Sequence, residues 1–205
     1  MAYIANTAFE VKVSNSIYDG VQNVAGKYRV RNGDEETLDI CSAGFLVKQS
    51  GLIPSEGYED IPVLNGNTWY FTDAATGAVY GLTGDHTGIF AANTYNVHSV
   101  VSANGEMKYN LGANTLGLSI PADEIGDFTE LRVGEQYKFG AGNFASTPTV
   151  GEFVEIDDGL WTASSSTAPA SGGVVYGQVL RSEPFNEGAS FWGTGYIVRI
   201  LRAAQ

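Results

Sequence analysis

The chain has 205 residues and a formal net charge of −12, because 23 Asp and Glu residues outnumber 11 Lys and Arg residues. No basic cluster is longer than a pair, so we expect the surface to repel nucleic acid and anionic membranes alike. With 43% hydrophobic residues the chain can bury a substantial core. Its 26 glycines lack the three-residue period of collagen and therefore indicate many tight turns.

The first eight residues carry no charge, and they include Tyr3 and Ile4. We interpret residues 1–8 as an extended arm or a first edge strand, with a frayed terminus as the alternative. The stretch lacks the basic region of a signal peptide. No segment approaches the roughly 20 apolar residues of a membrane span. We therefore expect synthesis in a reducing cytoplasm, with the single cysteine, Cys41, as a buried structural thiol.

In the first half of the chain, short runs that alternate apolar and polar residues predict strands. The dipeptide Asn32-Gly33 follows one of these runs and is typical of a hairpin turn, since both residues tolerate positive φ. The predicted strands are residues 9–13, 27–30, 44–47, 69–72, 77–82 and 94–101.

In the second half, residues 107–118 alternate weakly, and residues 121–125 are the best helix candidate. Ser119 would cap that helix, and the acidic pair Asp123-Glu124 suits its first turn. Further strands are predicted at residues 135–139, 152–156 and 160–163, followed by a polar loop over residues 162–173.

The segment from 173 to 201 is predicted to contain two strands, because the runs GVVYGQVL and TGYIVRIL are rich in β-branched and aromatic residues. Between them, turn-forming residues predict a loop: Glu183, Pro184, Asn186 and Gly188.

The two halves share an order of motifs that indicates an internal duplication. Trp69, Val79-Tyr80-Gly81 and Phe90 in the first half correspond to Trp161, Val175-Tyr176-Gly177 and Phe191 in the second. The alternative is that a chain rich in Gly and Tyr produces such matches by chance. The duplication predicts an all-β protein with two small β-barrel or β-sandwich domains, Gly-rich turns and at most one or two short helices. The predicted domains are residues 1–101 and 102–205, with a polar seam at residues 102–106.

The sequence offers few groups for catalysis. Of the two histidines, His98 corresponds to Arg199 in the repeat, which indicates an outward polar position. His86 follows Asp85, but no G-x-S-x-G elbow supplies a nucleophile, so a hydrolase is the least favoured class. We therefore expect no enzymatic activity, no catalytic residue, no cofactor and no metal site.

The tryptophans divide into two groups. Trp69 and Trp161 are paired by the repeat and are predicted to lie in the core. Trp192 corresponds to Ala91, so the repeat does not require it, and it is the best candidate for a partner contact together with Tyr3 and Ile4. Exposed aromatic side chains on a sheet also stack on sugars, so a carbohydrate-binding or host-adhesion module is an open alternative. Burial between the two domains is the other interpretation of Trp192.

Residues 173–180 (GVVYGQVL) and 195–200 (GYIVRI) resemble the closing strands of the decoration proteins of tailed bacteriophages, also called auxiliary or cement proteins. The resemblance covers mainly residues 134–202. It implies a non-enzymatic virion protein that is made in the host cytoplasm and binds the outer surface of the major capsid protein lattice. It also implies a homo-oligomer, with a trimer as one form, and avidity that comes from repeated weak contacts. The tandem arrangement departs from the smallest members of that family.

Overall fold

A computed structural model of the chain describes residues 7–12, 23–32, 35–52, 69–73, 89–92, 100–101, 107–109, 120, 122–123, 125–164, 176–187 and 190–202. These residues form β-strands and one short 3₁₀ helix, Ala141–Asn143, which confirms the predicted all-β class. The strands are β1 (Phe9–Lys12), β2 (Asn23–Asn32), β3 (Glu35–Leu38), β4 (Leu46–Leu52), β5 (Trp69–Asp73), β6 (Ile89–Ala92), β7 (Val100–Val101), β8 (Met107–Tyr109), β9 (Gly126–Glu130), β10 (Gln136–Gly140), β11 (Phe153–Asp157), β12 (Leu160–Ala163), β13 (Tyr176–Glu187) and β14 (Ser190–Arg202).

Two six-stranded sheets contain most of these strands. The C-terminal sheet has the order β1-β10-β14-β13-β11-β12, and all of its pairings are antiparallel. The N-terminal sheet has the order β3-β2-β5-β4-β6-β9, with a parallel pairing between β2 and β5. Because β9 also pairs with β2, the pairings of β2, β5, β4, β6 and β9 run in a cycle. Strands β7 and β8 pair with each other.

Two strands connect the halves of the chain. β1 pairs with β10 in the C-terminal sheet, with Phe9 opposite Phe139. β9 lies beyond residue 102 but pairs with β2 and β6 in the N-terminal sheet. The pairing orders also differ, since Trp69 lies on β5, which pairs with β2 and β4, whereas its predicted counterpart Trp161 lies on β12, which pairs with β11. The sheets therefore do not follow the chain order of the predicted domains, and both the domain division and the duplication stay predictions.

The C-terminal sheet buries one face against a core rich in aromatic rings. Along β11 the burial alternates, with Val154 and Ile156 buried and their neighbours half-buried. This is the period-two pattern of a strand that covers a core on one face. The residues of this core cluster are Phe9, Leu46, Leu131, Tyr137, Phe139, Phe144, Val154, Ile156, Trp161, Val179, Tyr196, Val198 and Ile200.

A second core lies under the N-terminal sheet, and residues 41–47 join it to the first. Phe45 and Val47 belong to this second core, whereas Leu46 between them belongs to the first. The Leu46 amide donates to the Gly159 carbonyl at 2.8 Å. Gly159 lies in the Asp158-Gly159 turn between β11 and β12, where both residues have positive φ, as a type I′ hairpin turn requires. The members of the second core are Tyr28, Cys41, Phe45, Val47, Phe71, Ile120 and Phe128.

A buried amide side chain holds the same junction together. Asn143 is 1% exposed, and its Oδ1 accepts from the Ala8 amide at 3.0 Å. Its Nδ2 donates to the Ala43 carbonyl at 2.8 Å. Asn143 therefore links the segment before β1 to the turn before β4, and it satisfies two backbone groups that burial would otherwise leave without a partner.

Several predicted elements agree with the structure and two do not. The strand predicted at residues 160–163 has the bounds of β12, and Cys41 is buried as predicted. The helix predicted over residues 121–125 does not form, because Ala122 and Asp123 lie in a turn and Asp123 has a φ of 66°. The loop predicted around Pro184 is instead part of β13. The strand predicted at residues 77–82 lies outside the described residues.

Candidate interaction surface

The β13–β14 hairpin is much longer than the strands beside it. β14 pairs with β10 only through residues 195–199, and β13 pairs with β11 only through residues 176–178. Beyond that point, residues 184–187 and 190–194 pair only with each other in the described part of the chain. We call these two segments the ribbon. In the described part of the chain the ribbon extends past the sheet and its outer backbone edges pair with no third strand, and edges of this kind can pair with a partner.

Pro184 is compatible with strand structure at this position. Pro lacks a backbone N–H and cannot complete a ladder on both sides, so it is confined to edges and ribbons. Pro184 lies opposite Thr194, and no third strand follows at that level in the described residues. The turn-forming residues around Pro184 therefore predict a loop, whereas pairing with β14 makes this segment part of β13.

A buried lysine fixes the base of the ribbon. Lys138 on β10 is 4% exposed, and its Nζ donates to the Pro184 carbonyl at 2.7 Å. The same ammonium lies 4.2 Å from the centre of the Phe185 ring and 3.9 Å from the Glu183 carboxylate. Phe185 is 1% exposed and lies over Gly195, where an added Cβ would come within 2.6 Å of the ring. The ribbon is thus held by a cation–π contact, a charged hydrogen bond and close packing.

Trp192, the predicted partner contact, lies in the ribbon at an irregularity of the pairing. Asn186 is opposite Phe191 and Phe185 is opposite Gly193, so Trp192 is the extra residue of a β-bulge. Bulges re-aim side chains and increase the local twist of a strand. The backbone of Trp192 is described as part of β14, but its side chain is not, and Tyr3 and Ile4 lie outside the described residues. The structure therefore does not bring these three residues together, and their contact role stays a prediction.

The face of the C-terminal sheet opposite the core is called here the outer face. Because Val198 and Ile200 belong to the core, Arg199 between them lies on the outer face, and it is exposed. In the register, Arg199 is flanked by Gln136 on β10 and by Gln178 on β13. Both neighbours are neutral amides.

A second arginine lies on the same face. Arg181 on β13 reaches across β14, and its Nη1 lies 3.5 Å from the Gln136 Oε1. Its Nε donates to the Glu183 carboxylate at 2.6 Å. Ile197 on β14 is opposite both Lys138 and Arg181 and is 0% exposed, although it faces away from the core. In the register, Lys138 and Arg181 lie on either side of Ile197, and alkyl stems of that length can cover apolar surface.

Sequence reasoning missed a local symmetry around Arg199. The tetrads Arg132-Val-Gly-Glu135 and Thr149-Val-Gly-Glu152 form equivalent turns, with a φ of 87° at Gly134 and 93° at Gly151. Positive φ at the third residue is the requirement of a type II turn. The Gly134 amide donates to the Ile200 carbonyl on β14, and the Gly151 amide donates to the Val179 carbonyl on β13. The two turns are therefore related by an approximate twofold axis that passes through the Gln178–Arg199 pair. The repeated Val-Gly-Glu sequence was the available signal.

Three buried acidic groups keep their protons. Burial raises the pKa of Tyr137 above its usual value, and the hydrogen bond of its hydroxyl to Glu135 at 2.6 Å adds to the effect. Burial, together with Asp73, raises the pKa of Tyr28. Burial also raises the pKa of the Cys41 thiol, which favours the unreactive protonated form.

The predicted polar candidates have different outcomes. His86 and His98 lie outside the described residues. Across the described ranges, no group of three His, Cys, Asp or Glu side chains is placed to hold a metal ion. In the same ranges, no helix has the length and hydropathy needed to cross a membrane.

The two tryptophans paired by the repeat both contact a core. Trp161 is 0% exposed, as predicted for a core residue, and Trp69 is half-buried against the second core.

Comparison with known proteins gives no significant match to a family model, a curated protein or a solved structure.

Proposed function

We propose that this chain is a non-enzymatic structural protein of a bacteriophage virion, which binds the outside of the capsid shell and stabilises it. The observation that carries the proposal is the ribbon, which extends past the sheet and is held at its base by Lys138. A protein that acts through contacts needs such a feature: an element that reaches a partner and keeps one orientation before binding, so that little ordering entropy is lost.

The composition of the ribbon suits a docking role. It contains the adjacent aromatic residues Phe191 and Trp192. Aromatic residues, Trp above all, are enriched among the residues that dominate binding energy. On a shell of many identical subunits, repetition and avidity convert modest contacts of this kind into stable attachment.

The resemblance to decoration proteins involves the same part of the molecule. The resembling segments, residues 173–180 and 195–200, overlap β13 and β14, which pair through Gly177–Ile200 and Val179–Val198. The hairpin that carries the ribbon is therefore also the part of the chain on which the proposed family membership depends.

Co-sedimentation with empty shells tests the proposal. The shells are assembled from the major capsid protein encoded in the same genome, and the chain should pellet with them and raise their resistance to heat. Trp192→Ala should weaken binding at least about tenfold, the loss expected for an interface hot spot. Val150→Ala, an exposed apolar change on the turn before β11, is the control and should bind like the wild type.

Applying the same wild-type and Trp192→Ala proteins to a glycan array distinguishes the carbohydrate-binding alternative from the capsid role. Glycan binding that is lost in Trp192→Ala, without any binding to shells, would replace the capsid role by a carbohydrate-binding or host-adhesion role. Failure of the wild-type chain to bind shells would by itself overturn the proposal.

A further inference from the structure

Three cationic side chains lie close together on the outer face of this strongly acidic chain. Lys138, Arg181 and Arg199 all belong to that face on neighbouring strands. One carboxylate, Glu183, lies near Arg181 at 2.6 Å and near Lys138 at 3.9 Å. Glu10 on β1 lies opposite Lys138 in the register, and Glu155 and Asp157 are on β11, two strands from β14. The carboxylates beside this cluster therefore occupy positions next to Lys138 and Arg181, whereas Arg199 has the neutral Gln136 and Gln178 opposite it.

Arg199 is the accessible member of this cluster. Lys138 is buried beneath the ribbon and Arg181 is engaged with Glu183 and Gln136. Arg199 is exposed, and no hydrogen bond or ion pair joins its side chain to another residue in the described ranges. Because the residues opposite Arg199 are two neutral glutamines, the charge of Arg199 is available for an external anion.

We infer that the outer face around Arg199 binds carboxylate side chains on the surface of the protein partner, an inference that rests on the proposed capsid-binding function. A guanidinium presents parallel N–H donors that match a carboxylate in a bidentate pair, which makes Arg the residue suited to this recognition. The net charge of −12 disfavours an extended polyanion such as nucleic acid. A single carboxylate is less affected, because charges more than roughly 8 Å away are screened at physiological salt.

The position of Arg199 fits a shared interface with the ribbon. β14 carries both Arg199 and the ribbon segment at residues 190–194, and the side chains of Lys138 and Arg181 lie between these two parts on the outer face. A partner that contacts the ribbon and the outer face together would meet apolar groups at one end and a positive charge at the other. Electrostatic contacts of this kind fix the orientation of a complex and depend on salt.

Two probes test the inference. The first is the binding of the whole chain to the shells described above, with Arg199→Gln, Arg199→Lys and a matched control, Arg132→Gln. Arg132 undergoes the same charge change but is already paired with Glu130 at 3.3 Å. We expect Arg199→Gln to weaken binding by about tenfold or more, the usual loss for a hydrogen-bonded charge. Arg199→Lys should give an intermediate loss, and Arg132→Gln little change. Raising the salt concentration should weaken the wild type more than Arg199→Gln.

The second probe is a hexaglutamate peptide, titrated against the isotope-labelled chain by NMR. The Arg199 side-chain N–H signal should shift with the peptide, and no such shift should occur with hexaglutamine. Shells that bind Arg199→Gln as tightly as the wild type would overturn the inference while leaving the capsid role intact. If the wild type does not bind shells, the capsid role fails, and the peptide titration alone decides whether the face recognises carboxylates. A response to acidic oligosaccharides without a response to hexaglutamate would overturn the protein-partner inference.

Discussion

Replacing Lys138 by methionine should release the ribbon without unfolding the sheet. Methionine keeps the length and much of the apolar stem of lysine but removes the ammonium. Three contacts within the ribbon segment and its base disappear: the hydrogen bond to the Pro184 carbonyl at 2.7 Å, the cation–π contact with Phe185 at 4.2 Å and the ion pair with Glu183 at 3.9 Å.

The magnitude follows from these contacts. A hydrogen bond to a charged group contributes about 1.5–3 kcal/mol, and a desolvated cation–π contact about 0.5–2 kcal/mol. The ion pair adds little, because Glu183 is 30% exposed and keeps Arg181 as a partner. Methionine also avoids the cost of burying an ammonium group, which offsets part of the loss. We therefore expect a net loss of about 1–3 kcal/mol, mostly local to the ribbon.

Hydrogen exchange measured by mass spectrometry reports that loss directly. In Lys138→Met, backbone amides of residues 181–187 and 190–195 should exchange about 10- to 100-fold faster, whereas those of β11 and β12 should be unchanged. Lys48→Met on β4 is the control and should leave ribbon exchange as in the wild type. Identical ribbon exchange in Lys138→Met and the wild type would show that the lysine does not anchor the ribbon.

Two further substitutions test the packing of the core, and a pH series tests the titration of its buried tyrosines. Asn143→Leu leaves two buried backbone groups without partners, so we expect a loss of about 2–5 kcal/mol in the free energy of unfolding by urea. Gly159→Ala places a Cβ 2.1 Å from a Phe45 ring carbon. Gly134 has a similar positive φ but no atom within 4 Å of the added Cβ, so Gly134→Ala should cost about 1 kcal/mol and Gly159→Ala should cost more. Equal losses of stability in the two variants would contradict the packing argument. The raised pKa values of Tyr28 and Tyr137 predict stability that is fully present below pH 10.0, the usual tyrosine value, and falls above it, because only the unfolded state then releases these protons. Denaturant unfolding from about pH 8 to pH 11 should show that decline, with a smaller slope in Tyr137→Phe.

Local sequence patterns predicted the strands better than they predicted the partners of those strands. β12 has the predicted bounds because the Asp158-Gly159 turn fixes where it begins and Trp161 is buried in the core. Pro184 misled the prediction, because a residue that usually ends a strand is tolerated where no third strand needs its N–H. The pairing of β1 with β10 and of β9 with β2 depends on contacts between distant residues, which short-range periodicity does not encode.

The candidate interaction surface was harder to predict from the sequence than the fold was. Trp192 was selected because the repeat does not require it, and it lies in the ribbon, where its contact role stays a prediction. Arg199 gave no signal, since a single charged residue on an alternating strand is ordinary. Its isolation from carboxylates emerges only when β10, β14 and β13 lie side by side. The role of Lys138 was equally hidden, because its partners are 45 to 47 residues away in the chain.

Electron cryo-microscopy of shells saturated with the chain tests the central claim most directly. The account predicts additional density at repeated positions on the outside of the shell, with the β13–β14 ribbon and the Arg199 face toward the capsid subunits. Shells without added density, or with the ribbon and that face both directed to solvent, would contradict it.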